Sequence, residues 1–109
     1  MTWIEKHRES EEFAAQAESR IRMGRAEEAR HLYLAAAEAE AVALLQIPSD
    51  KCRTLGITAV STVSLFFKAG EPNKAELSAL TSLANEGIPL FAREELQGIV
   101  QTMKRGGGK

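Results

Sequence analysis

Arg25 and His31, in the stretch GRAEEARHLYLAAA at residues 24–37, set a permanent cation and an imidazole within two helical turns of each other. These are residue types that hold anions and move protons, and Glu27 also stands four residues before His31, an ordinary i,i+4 pair. A second constellation is SDKCRT, residues 49–54. Lys51 and Arg53 fall where a helix begins, against the usual charge preference of that end. An anion or a partner carboxylate would resolve the conflict, and solvated loop charges are the plainer reading. Cys52 lies between them, where a helix dipole lowers a thiol pKa. No His or Asn is close in sequence to use it, so a small buried residue is the simpler role. RGGGK, at the C-terminus, follows no strand and opens no helix, so it is not a phosphate loop. One cysteine and two well-separated histidines assemble neither a disulfide nor a metal site, and no cofactor is expected.

The elements that must position these residues are helical. A chain of 109 residues forms one domain near the lower end of comfortable stability. Its net charge of -1, from 14 basic and 15 acidic residues, provides no field for a phosphate backbone, so no specific nucleic-acid binding is expected. The charged start MTWIEKHRESEE excludes a secretory core, and no apolar run approaches the roughly 20 residues a membrane helix needs, so a soluble cytoplasmic protein is expected. Three prolines, at 48, 72 and 89, divide segments whose apolar residues recur at helical spacing.

Five helices are predicted. The first covers 2–23, with Phe13, Ala17 and Ile21 inward, and Gly24 stops it. The second follows directly, with Glu27 and Glu28 in its first turn, and runs to Gln46. Its inner stripe is Ala29, Leu32, Tyr33, Ala36, Ala39 or Ala43, and Ile47. The third, 50–69, is capped by Ser49 or Asp50, stops at Gly70, and buries Leu55, Ala59, Val63 and Phe66, with Ile57, Val60 and Phe67 widening the apolar surface. It belongs at the centre. The fourth, 72–85, starts with Pro72 and turns Ala75, Leu80, Leu83 and Ala84 inward. The last opens at Pro89 and buries Ala92, Leu96, Ile99, Val100 and Met103. The expected domain therefore spans 1–105, as a hairpin over 2–47, a hairpin over 50–86 and a closing helix over 89–105, with a flexible tail at 106–109.

Two glycines compare closely. Gly24 and Gly70 each end a helix, and each is followed five residues later by alanine, Ala29 and Ala75. In the first unit Phe13, Ala17, Gly24, Ala29, Tyr33 and Ala36 stand in register with the tetratricopeptide motif, which the chain resembles over residues 11–105. The second unit keeps Phe66, Gly70 and Ala75 but has Ala79 and Ser82 where an aromatic and an alanine belong. The glycines are 46 residues apart, against a family repeat of about 34, so a long-helix variant is implied. The resemblance implies an all-α fold in which antiparallel hairpins stack as a short right-handed solenoid. Its inner surface would carry Glu11, Ala14, Ala15, Glu18, Ile21 and Arg22 from the first unit, and Ile57, Val60, Ser61, Ser64, Phe67 and Lys68 from the second.

Glu11 and Glu18 would repel the acidic C-terminal peptides that some family members clamp. What remains suits an amphipathic helix or a segment with a basic residue beside apolar ones. Competing arrangements are burial of Val60 and Phe67 against the last helix, and an ordinary solvated face for Glu11 and Glu18. So few repeats leave ends to be covered. Trp3 and Ile4 would serve self-association through the first helix or docking to a partner; alternatively, Trp3 folds onto the second helix around Leu44 and Leu45.

The Arg25–His31 spacing is similar to that of small helical ribonucleases of the HEPN (higher eukaryotes and prokaryotes nucleotide-binding) type. That resemblance implies a dimeric site in which His31 handles a proton while Arg25 steadies the scissile phosphate. The chain departs from the pattern: Ala26 follows the arginine, the motif falls on the second helix, and Glu27 and Glu28 repel RNA. The expected function is therefore a non-catalytic protein–protein interaction module, with the ribonuclease as its alternative.

Overall fold

Thr2 starts the first helix by accepting the Glu5 backbone N–H on its Oγ1 at 3.3 Å, which satisfies one of the donors a helix N-terminus leaves free. The computed structural model describes residues 2–107. Helix α1 covers Trp3–Arg22 and α2 Ala26–Gln46. Between them Gly24 takes a φ of 75°, and the Arg25 N–H reaches back to the Arg20 carbonyl at 2.8 Å. This is the left-handed closure that glycine adopts without strain. The same device closes α3, Cys52–Lys68: Gly70 also has φ 75°, and the Glu71 N–H meets the Phe66 carbonyl at 3.0 Å. Helix α4 covers Pro72–Leu83 with Pro72 in its first turn, and α5 covers Leu90–Gly107. Among the described residues the fold is all-helical, with five helices and no strand. No helix among them is long and apolar enough to cross a membrane.

The predicted cap of α3 is corrected. Lys51, not Ser49 or Asp50, is the N-cap, and it makes no side-chain cap bond. Pro48, Ser49 and Asp50 are spent on the preceding turn, which the Lys51 N–H closes on the Pro48 carbonyl at 3.0 Å. Helix α5 continues to Gly107, into the segment expected as a tail; residues 108 and 109 lie outside the described residues.

Polar contacts fix how α1 lies on α2. His7 meets Glu40, Ser10 donates to the Ala36 carbonyl at 2.8 Å, and Arg20 reaches Glu28, so the pair is antiparallel. Trp3 and Leu44 are both half-buried against the core. Buried alanines on both helices, Ala17, Ala29, Ala36 and Ala37, line the seam, and small side chains are what allow two helices to approach. Among the described residues α1 packs on α2 alone, α2 packs next on α3, and α3, α4 and α5 touch one another. The result is a slab of 41 × 40 × 17 Å. Leu55, Ala59, Val63 and Phe66 of α3 are buried as expected, with Leu96 and Val100 of α5.

Two inward stripes differ from expectation. On α4 the buried residues are Ala75, Ala79 and Ser82, while Leu80 and Ala84 are exposed. The helix turns its small residues to α3 for a close approach and leaves Leu77 and Leu80 outside, while Leu83 is half-buried against the core as expected. On α1, Ile21 is exposed because it lies in the last turn, where the chain reverses at Gly24 and residues 25–28 of the next helix start are themselves exposed.

Candidate functional site

A groove of about 550 Å³ opens between α3 and α5, lined by Ser64, Phe67 and Lys68 on one wall and by Glu95, Gly98, Ile99 and Thr102 on the other. Two glycines explain where these helices meet and where they part. A methyl group added at Gly56 would come within 2.7 Å of the Pro89 ring and 3.0 Å of Ala92 and Phe91, so bare backbone lets the helices come this close. Gly98 is the opposite case. Nothing lies within 4 Å of the position a side chain would take, and yet a glycine inside a helix costs about 0.5–1 kcal/mol relative to alanine. Packing within the chain gives Gly98 no reason to be glycine, and it lines the groove.

The groove has an apolar floor and a few polar groups, a combination typical of recognition sites. Phe67 is 52% exposed and Ile99 half-buried. Phe67 is therefore not buried against the last helix, the competing arrangement considered for it. Lys68 holds its ammonium over the Tyr33 ring, 5.7 Å from the centroid, a cation–π contact that restrains a flexible side chain.

Of the residues predicted to line a partner surface, Ser64, Phe67 and Lys68 come together in this groove. Ile57 is exposed on α3, and Val60 and Ser61 are partly covered. Glu11, Glu18 and Arg22 are exposed on α1, which does not touch α3, so they do not form a facing wall. Glu11 lies 3.6 Å from His7 instead. Lys51 and Arg53 are exposed at the start of α3. Cys52 is exposed too, which corrects the buried role expected for it. Its thiol points to the Ser49 carbonyl at 3.8 Å.

Arg25 is the N-cap of α2 and contacts Glu28 at 3.6 Å, a carboxylate that Arg20 also approaches. Glu27, the expected partner of His31, accepts from Arg30 at 2.9 Å, and His31 is exposed.

Sequence reasoning missed a different histidine. His7 Nδ1 lies 2.9 Å from Glu40 Oε1 and 3.2 Å from Oε2, and Glu40 is only 1% exposed. A carboxylate so buried needs a partner. The signal was present, because Glu40 falls on the same helical stripe as Tyr33, Ala36 and Ala43, where every neighbour is apolar. A second channel runs between α2 and α4, which do not touch. It begins as a cleft of about 310 Å³ floored by Phe66 and rimmed by Leu45 and Leu77, and continues past Leu55 and Ile88. Leu45 is 87% and Leu77 67% exposed.

No known protein family, curated protein or solved structure matches the chain.

Proposed function

We propose that this chain is a non-catalytic interaction module that binds a segment of a partner protein in the α3–α5 groove, and that its hairpins stack in a tetratricopeptide-like manner. Gly98 carries the reading: it is a glycine within a helix whose missing side chain serves the groove and nothing else in the fold. Phe67 supports it as a half-exposed aromatic anchor, the kind of residue on which binding energy concentrates. The identical closures at Gly24 and Gly70 support the stacked-hairpin arrangement, as does contact of α5 with both α3 and α4. The departure is α1, which flanks α2 without reaching α3, so the groove of this module is built from residues 64–102. The single exposed thiol of Cys52 suits a reducing cytoplasm.

The test is to fill the groove without disturbing the fold. Gly98→Phe places a ring in open space, and its circular dichroism spectrum and melting temperature should match or exceed those of the parent. Helical peptides selected by display on the parent chain should then fail to bind Gly98→Phe. Equal binding to both proteins removes the groove from the account.

A further inference from the structure

The groove has a direction. Gly56 of α3 lies against Pro89 and Ala92, while residues 64–68 face 95–102 further along, so α3 and α5 run parallel. Their charges are sorted along this axis. Glu95 and Lys68 both line the groove; Lys68 ends α3, and Thr102, seven residues or about 10 Å of helix rise beyond Glu95, lies toward that end. Glu94, also exposed, joins Glu95 in the turn before Gly98. Arg105, exposed on the stripe of Gly98 and Thr102, continues past the Lys68 end. Between the charges lie Phe67, Gly98 and Ile99.

Resting on the interaction reading above, we infer that the occupant is an amphipathic helix running antiparallel to α3 and α5, with its acidic N-terminal turn at Lys68 and Arg105 and its basic C-terminal turn at Glu95. Two physical arguments converge on this polarity. Helices carry acids in the first turn and bases in the last because these complement the macrodipole, so a helix of ordinary charge pattern matches the groove in this direction only. The dipoles of α3 and α5, whose last α3 carbonyls already accept from Ala69, Gly70 and Glu71, also point their negative ends toward Lys68 and so oppose that of a helix lying antiparallel to them. Apolar residues spaced i, i+3 or i+4, and i+7 would cover Phe67 and Ile99 between the two ends.

The probe is a displayed library of helical peptides with randomised apolar positions and Glu or Lys varied at each end. Peptides that bind the parent chain and not Gly98→Phe are taken forward, and a nitroxide is placed on the N-terminus of the best. The expected result is broadening of the amide resonances of Lys68, Gly70 and Thr102. Lys68→Glu should weaken binding about three- to tenfold for a peptide with Glu in its first turn, as expected for one or two exposed ion pairs, and replacing that Glu by Lys should restore it. Broadening around Val60 and Glu95 instead overturns the polarity and leaves the interaction reading standing. Failure to select any groove-dependent peptide sinks both. Concentration-dependent dimerisation abolished by Gly98→Phe would make a second copy of this chain the occupant and overturn the inference.

Discussion

The two helical glycines at the α3–α5 contact allow the same chemical change to be made twice with opposite consequences. Replacing Gly98 by alanine adds a methyl group where nothing lies within 4 Å. Only the backbone gain of leaving glycine remains, so Gly98→Ala should stabilise the chain by about 0.5–1 kcal/mol. Replacing Gly56 by alanine carries the same backbone gain but drives the methyl to 2.7 Å from the Pro89 ring and 3.0 Å from Ala92 Cβ. Neither of those groups has a side-chain rotamer with which to move aside. Overpacking of this kind costs about 1–3 kcal/mol, which leaves Gly56→Ala between neutral and about 2 kcal/mol destabilised. The two variants should therefore differ by about 1–3 kcal/mol in urea denaturation. Thermal midpoints should separate by several degrees, at about 4–8 °C per kcal/mol for a domain slightly smaller than this one. Equal stabilisation by both substitutions would mean that α3 and α5 do not meet at Gly56. Destabilisation by Gly98→Ala would show that the groove is filled in the native chain.

Two further predictions concern side chains that hold the helices together. His7→Leu leaves the Glu40 carboxylate buried without its partner. Because His7 itself is 39% exposed, the loss should be about 2–3 kcal/mol, below the 3–5 typical of fully buried pairs, and the double change with Glu40→Leu should recover most of it by chemical denaturation. A double variant no more stable than His7→Leu would refute the pairing. Arg93 donates to the carbonyls of Leu83, Asn85 and Ile88 at 2.9, 2.7 and 3.2 Å, tying the α4–α5 turn to α5. Arg93→Met should cost about 2 kcal/mol and accelerate amide exchange at residues 84–89; unchanged exchange there would show that the turn holds without it.

Much of this architecture was legible because helical punctuation is local. Gly24 and Gly70, followed at the same distance by Ala29 and Ala75, marked both hairpin turns before any tertiary contact was known. The stripes of α2, α3 and α5 followed from spacing alone, since their buried faces are mainly apolar, broken only by Glu40 on α2 and by Thr58 and Thr62 on α3. Helix α4 was misread because size and burial part company there. Ala75 and Leu83 face inward as expected, but Leu80 looked like core, and the close approach to α3 selects Ala79 and Ser82 instead. The groove was legible in part. Ser64, Phe67 and Lys68 lie within one and a half turns of one helix, so spacing could group them. Their opposing wall on α5 is some thirty residues away, and only the folded chain pairs the two. Glu40 was readable in principle as an acid inside an apolar stripe, but nothing local pointed to His7, 33 residues earlier.

The α3–α5 groove, and not the channel between α2 and α4, is proposed as the binding surface. Its most direct test is an amide chemical-shift titration of the full chain with a helical peptide selected on it. The largest shifts should cluster at Ser64, Phe67, Lys68 and residues 95–102. Shifts concentrated instead at Leu45, Leu77 and Thr81, with residues 95–102 unmoved, would contradict it.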